Sequence, residues 1–453
     1  MKLRKFANYL HQFFIFRHCQ SKSKKSLYYL SSFFLMLFMV IFSLSGCNYI
    51  QSSNKVTYVT FWHGVNPPQN RDVLQKLVNK FNQAHSEIQV ESLYVGQQDQ
   101  QMPKILAAVV GNAPPDLLWF NPTIAGQLVE LGALIPLDEK LANSPVKQEI
   151  DPALYTSMQY NEQIWSVPFA TNNVGVYYRP SLFKAAGITE LPQTWEELRQ
   201  AAKKLTRDTN GDGQIDQHGM LLPGGKGEFT VFTWLPFMWS GGGKLVNGNG
   251  QSAADVVLAD NQGAIAALQF WQDLIADSNA VLSSPERGYE IESLVNGKVA
   301  MQVTGPWSLG ELKQSGVDFA VFPIPVQKEP ATVIGGENLF LFKTTPEREK
   351  AAFKFAEYTL SADFQTELAL GTGYLPVNIK SRQSPQYQEF LNQQPQIKVF
   401  LEQAKHGHSR PIFPGYTRIS DSLGRAIEAV LLGKTSPVQA LKTAQQRLDL
   451  IFN

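Results

Sequence analysis

The sequence predicts a two-lobed α/β protein. Its 453 residues, 43% hydrophobic and 17% charged, suffice for two or three packed cores and are neither disordered nor fibrous in composition. From residue 56 onward, short β-branched and aromatic runs alternate with amphipathic ones, the pattern of a parallel sheet flanked by helices. No repeat of solenoid or propeller period is visible, so the chain builds lobes rather than an array.

The elements follow in order. Residues 56–62, VTYVTFW, read as a first strand. Over 71–84, Leu74, Leu77, Val78 and Phe81 recur at helical spacing, and 90–95 reads as a second strand. A helix over 102–110, which Gly111 can end, leads through an Asn-Ala-Pro-Pro break into the strand 117–120, stopped by Asn121-Pro122. Ligands of open α/β sheets sit beyond the carboxyl ends of such strands, which places Asn121 and the Trp62-His63 pair well for binding. Thr194-Trp195-Glu196-Glu197 is a capping box opening a helix to Leu205. Ser436-Pro437 caps the last helix, in which Val438, Leu441, Ala444, Leu448 and Ile451 form one apolar face.

With 40 Lys+Arg against 39 Asp+Glu, no global field draws the chain to nucleic acid or an anionic membrane. The amino end differs in kind. Lys2, Arg4, Lys5, Arg17, Lys22, Lys24 and Lys25 precede an apolar run over 27–44, followed by Ser45, Gly46 and Cys47. Leu44-Ser45-Gly46-Cys47 resembles the lipobox of bacterial lipoproteins. That resemblance implies a signal peptide over 1–46, a lipidated Cys47 and a tether over 47–54. An uncleaved single span is the other reading of the same run; either way the rest of the chain lies outside the cytoplasm. Cys19 and Cys47 are the two cysteines, so no disulfide framework supports the mature chain.

Six segments carry a wider resemblance: TFWHG at 60–64, ILAAVVGNAPPDLLWF at 105–120, VPFATNNVGVYYRPSLFKAAGI at 167–188, Thr304-Gly305-Pro306-Trp307, IGGENLFLF at 334–342 and TGYLPV at 372–377. In this order, over nearly all of the mature chain, they resemble family 1 extracellular solute-binding proteins. Within that family the nearest echo is of glycerol-3-phosphate and glycerophosphodiester binders and of maltose-type sugar binders. The resemblance implies a periplasmic-binding-protein fold of class II type, with discontinuous lobes joined by hinge crossings near 168–171, 322–325 and 374–377. One lobe then comprises 55–168 plus 324–373, the other 169–323 plus 374–453. It also implies a monomer that captures a sugar or sugar-like polyol, closes over it and delivers it to the permease subunits of an ABC transporter. A glycerol-3-phosphate or glycerophosphodiester ligand is the alternative.

A polyol needs flat apolar surface and a few directed donors and acceptors. Trp62, Trp239, Trp307 and Tyr374 lie beside turns or strand ends and supply such surface, unless a given ring belongs to the core. Trp307 follows Gly305-Pro306 where the family places a cleft loop. Asn121 matches a family position that commonly holds an acidic contact, and its amide can bond a hydroxyl in both directions. Gln98 stands where glycerol-phosphate binders carry an aromatic contact. Gly335-Gly336 allows close backbone approach to a ligand or simply a tight turn. Arg418, in PGYTRISD, falls where the glycerol-phosphate binders place an arginine; a surface position is the alternative. His63 has no partner at metal-ligand spacing and reads as a cleft or packed histidine. Asp208, Asn210, Asp212, Gln214 and Asp216 follow the spacing of a calcium loop, but Gly219 replaces the usual twelfth-position glutamate, and an Asx-turn loop without metal is the other reading. No other cofactor is expected. A carbohydrate-active hydrolase is the rival class, and the chain shows no paired-carboxylate, G-x-S-x-G, H-E-x-x-H or phosphate-loop motif.

Overall fold

The computed structural model describes residues 56–247, 255–284 and 290–452. The expected signal peptide, Cys47 and the expected tether lie outside the described residues. Three strands and two helices open the fold: β1 (Thr57–His63), α1 (Pro68–Ala84), β2 (Ile88–Tyr94), α2 (Gln98–Val110) and β3 (Leu117–Phe120). α1 buries Leu74, Leu77, Val78 and Phe81, the four positions whose spacing predicts it. α2 starts four residues ahead of the expected 102, because Gln97 and Gln100 cap each other's backbone across the first turn. Such a polar cap is invisible to apolar periodicity. Gly111 ends this helix with an ordinary φ of −78°, and the left-handed residue is Asn112 at φ 53°.

A short hairpin of β4 (Gln159–Tyr160) and β5 (Gln163–Ile164) precedes β6 (Ser166–Asn172) and β7 (Gly175–Tyr178). Next come α3 (Trp195–Leu205), β8 (His218–Leu222), α4 (Glu228–Ser240), α5 (Gln262–Ala276), β9 (Ala280–Leu282), β10 (Val299–Thr304), β11 (Ala320–Phe322) and β12 (Thr332–Leu341). α6 (Pro346–Leu360), α7 (Ala362–Thr372), β13 (Gly407–Ser409), α8 (Tyr416–Leu431) and α9 (Pro437–Phe452) complete the chain. α3 opens on the expected box: the Glu197 N–H donates to Thr194 Oγ1 and the Thr194 N–H to Glu197 Oε2, each at 3.2 Å. In α9 the buried stripe is Ala440, Leu441, Ala444 and Leu448, whereas Val438 and Ile451 are exposed. The small Ala440 replaces Val438 at the contact, Val438 falls outside the stripe, and Ile451 lies in the last turn.

One sheet runs β13-β12-β3-β1-β2, with β6 also paired to β12; the other runs β11-β7-β10-β8-β9. Parallel β1–β2 and β1–β3 pairs confirm the strand–helix–strand reading of the first segment. The first sheet carries a core of Val59, Phe61, Phe81, Val167 and Leu339, and the second one of Val176, Trp234, Trp271 and Ile427. Among the described residues, no helix is long and apolar enough to cross a membrane.

The chain passes from the first sheet to the second between Asn172, still paired with Gly335, and Gly175, slightly beyond the expected 168–171. It returns between β11 and β12. Ile324, Ala331 and Val333 still pack in the second core, so strand pairing with the first sheet takes over later than residue 324. At the expected third passage Leu375 exchanges backbone hydrogen bonds with Thr171 at 3.0 and 3.2 Å. Further bonds form around these segments: Thr171 Oγ1 donates to Gly335 O at 3.1 Å, and Gln403 Nε2 to Asn173 Oδ1 and Val174 O at 2.7 Å.

Candidate functional site

Trp307 stands at the junction of the two cores. β10 ends at Thr304, and Gly305 leads into a 3-10 turn over Pro306–Ser308. A Cβ on Gly305 would lie 2.1 Å from the Trp307 ring, so only glycine lets the indole fold back over the turn. The half-buried ring packs against both cores, and its backbone carbonyl accepts from Asn70 Nδ2 of α1 at 3.1 Å. Its centroid is 6.4 Å from Phe232 of α4, tilted by 45°.

Phe232 leads to a polar cluster that sequence patterns did not reveal. The Arg410 guanidinium sits 4.9 Å over the Phe232 ring and forms a buried ion pair with Glu228 at the first turn of α4. Tyr416 Oη donates to Glu228 Oε1 at 2.9 Å, and Ser420 Oγ donates to Glu228 Oε2. Burial, and after it the Glu228 charge, holds the Tyr416 phenol well above its ordinary range. From the first sheet's side, Asp99 accepts from the Glu228 backbone N–H, and a Cβ on Gly227 would lie 2.4 Å from Asp99 Oδ2. Burial, with the like charge of Glu228 next, pushes the Asp99 carboxyl up.

Gly335 and Gly336 flank the same region. A Cβ on Gly335 would meet Asn172 Oδ1 at 2.3 Å and the Phe232 ring at 2.5 Å. Gly336 has φ +125°, and its Cβ would lie 2.2 Å from Ala170 O, so tight pairing of β12 on β6 requires this glycine. The next residue, Glu337, sits where the β12–β6 register shifts. Its Oε2 is sealed and has no hydrogen-bond partner, and burial pushes the carboxyl up to about 8 against the pull of Arg410. Tyr374 is buried beside it, its phenol raised well above the ordinary range by burial and then by Glu337. A cavity of about 390 Å³ opens on this stretch, lined by Thr171, Gly335, Gly336, Asn338 and Arg410 among others.

The structure therefore brings Trp307, Gly305, Gly336 and Tyr374 into one region. The remaining expected residues lie elsewhere or are engaged. Trp239 is buried in the second core, stacked on His408 at 4.9 Å. Trp62 is half-buried against the cluster of Ile105, Leu118 and Phe120. His63 is a packed histidine: it accepts from the Val65 N–H at Nδ1 (3.3 Å), and burial, with Arg71 second, lowers it to about 4. Asn121 does not present its amide oxygen to a cleft, because that oxygen accepts from the Thr123 N–H at 3.0 Å and from the Thr123 hydroxyl. Gln98 is half-buried at the start of α2, one residue before Asp99. Arg418 is exposed on the first turn of α8, eight positions from the buried Arg410.

The oxygens of the calcium-spaced loop are engaged by the loop's own backbone. Asp208 accepts from the Asn210 and Gly211 N–H groups at Oδ1 and from the Gly213 N–H at Oδ2, and Asn210 Oδ1 accepts from the Asp212 N–H. Asp212 accepts from the Gln214 N–H, and Asp216 from Thr209. These are Asx-turn bonds. Among the described residues, no group of three or more His, Cys, Asp or Glu side chains converges to hold a metal.

One sequence signal could have found Glu337: it is the sole charge in the strand TVIGGENLFL. Arg410 and Glu228 carry no local signature, since they are 182 residues apart and meet only in the fold.

Comparison with known proteins agrees with this architecture. An α-D-tagatose-bound ABC transporter solute-binding protein of Thermotoga lettingae superposes with a TM-score of 0.78 and 25% identity, over 88% of this chain and all of that one. The maltotriose-binding protein of Pyrococcus abyssi is 23% identical, covering 82% of this chain and 77% of its own length. The sn-glycerol-3-phosphate-binding periplasmic protein of Brucella melitensis is 24% identical, covering 86% and 92%. Two discontinuous α/β lobes with a residue cluster at their junction are what a solute-binding protein requires, and the profile of that family matches residues 76–396; the chain belongs to the bacterial extracellular solute-binding proteins.

Proposed function

We propose that the chain captures a neutral sugar or sugar-like polyol outside the cytoplasm and passes it, unaltered, to the permease of an ABC importer. Trp307 carries this reading: a half-buried aromatic face, held by Gly305 at the junction of two cores, gives a pyranose ring a stacking surface that a three-carbon phosphate would hardly use. The tagatose-bound and maltotriose-binding relatives support it. A glycerol-phosphate ligand is the second reading, favoured by the glycerol-3-phosphate-binding relative and by Arg410. That arginine, however, already faces Glu228 in a buried pair.

A thermal-shift screen of sugars, polyols and glycerol phosphates identifies the ligand, since binding to the folded state alone raises its stability. Calorimetric titration then separates the readings. Trp307→Ala should weaken a sugar by about 2 kcal/mol, and Arg418→Ala, on the exposed face of α8, by less than about 0.5 kcal/mol. A larger loss for Arg418→Ala, with binding that weakens steeply as salt rises, would favour the phosphate.

The protein is further proposed to be a monomer held at the membrane by acyl chains on Cys47, on the strength of the basic start, the apolar run and Leu-Ser-Gly-Cys. Cys47→Ser should abolish labelling by a fatty-acid analogue in a bacterial host; undiminished labelling would remove the anchor. The two lobes are proposed to exchange between residues 172 and 175, between β11 and β12, and near 374–377, and to close about these passages.

A further inference from the structure

We propose that Glu337 selects a neutral, hydroxyl-bearing ligand over a phosphate-bearing one, an inference that rests on the sugar reading above. Three sealed polar atoms around the Gly335–Gly336 stretch have no hydrogen-bond partner among the described residues: Glu337 Oε2, Arg410 Nε and Asn172 Oδ1. Arg410 and Asn172 are 7% and 3% exposed, so leaving these atoms unpartnered is costly. Glu337 and Asn172 stand on adjacent strands, opposite Ala170 and Gly335 respectively, and Arg410 lies over the Phe232 ring that adjoins Gly335.

The set consists of one donor, one acceptor and a carboxyl. A hydroxyl both gives and takes a hydrogen bond, so neighbouring hydroxyls can satisfy all three. A phosphate at neutral pH mainly accepts. It could serve Arg410, but it would place negative charge against Asn172 Oδ1 and Glu337, beside an arginine whose charge Glu228 already balances. Burial pushes Glu337 up to about 8, so near neutrality its carboxyl is largely a hydrogen-bond donor.

The groups facing Glu337 are consistent with that state. Arg410 pulls it toward ionisation, and Tyr374, after α7, adds no positive charge. β6 presents Ala170, and α4 presents Phe232 with Glu228 paired to Arg410. The β13 histidine, His408, stacks on Trp239, while Arg348 of α6 pairs with Asp116 near the far end of β12.

The test is calorimetric titration of the full chain in detergent with maltose, maltotriose, glycerol 3-phosphate and glycerophosphocholine, at pH about 6.5 and about 9. Wild type should bind its best saccharide about tenfold more weakly at the higher pH, as the carboxyl ionises. Glu337→Gln, which keeps a donor and an acceptor, should stay within about threefold of wild type at the lower pH and lose the pH dependence. Glu337→Ala should weaken the saccharide about tenfold at the lower pH. Saccharide binding that is the same in wild type and both variants at both pH values would overturn the role of Glu337 and leave the sugar reading intact. Capture of glycerol 3-phosphate with no saccharide bound would overturn both.

Discussion

His63 shows how burial, with a nearby positive charge, makes a side chain pH-sensitive. Its imidazole is lowered from 6.5 to about 4, by burial first and by Arg71 second. A base whose folded pKa lies below its unfolded value is neutral in the fold. Its contribution to stability is therefore complete above about 6.5 and is lost as pH falls through that value toward 4. Thermal unfolding followed over this window should show a declining acid limb that His63→Gln makes shallower; an unchanged limb would mean that other groups set it. Glu337 acts in the opposite sense, because its folded value lies above 4.5, at about 8. Its contribution is complete below 4.5 and is lost as pH rises toward 8.

Among the elements, α4 and the segment before α8 meet through one buried ion pair. The Arg410 and Glu228 side chains are 5% and 10% exposed, and Tyr416 and Ser420 supply further hydrogen bonds to the carboxylate. Removing one partner leaves an uncompensated buried charge, so Arg410→Ala should cost about 3–5 kcal/mol in chemical denaturation. Replacing both with apolar residues, Arg410→Met with Glu228→Leu, should recover most of that loss. If the double variant is as unstable as the sum of the single ones, the pair is not coupled. β12 shows the same dependence on neighbours: close pairing with β6 puts Gly336 at a φ of +125°, which its own lack of a Cβ permits.

Two lobes joined by three passages form a hinge when the passages are short and tied together. Near the passages proposed above, Thr171 bonds to Gly335 and to Leu375, and Gln403 bonds to Asn173. The contacts that span the junction include Asn70 to the Trp307 carbonyl, Asp99 to the first turn of α4 and the Trp307 ring packed against both cores, and opening would break them. Small-angle scattering should show the radius of gyration decreasing when the ligand found in the screen is added. A radius unchanged at saturation would rule out closure for this protein.

The strand 117–120, the apolar face of α1 and the capping box of α3 were legible because each is fixed within about two helical turns or one strand length. The ordered motifs carried the family and the two-lobed architecture for a related reason: they mark turns and strand ends that any such fold must make. The start of α2, the stripe of α9 and the fate of each aromatic were not legible in this way. Trp62, Trp239 and Trp307 all lie near turns or strand ends, yet one packs under α2, one stacks on His408, and one adjoins both cores. Arg418 was the arginine that sequence position favoured, and Arg410 is the one that packing buries. Local spacing governs which face of an element is apolar, whereas Glu228 and Arg410, 182 positions apart, meet only because the segment before α8 packs against α4 within the second core.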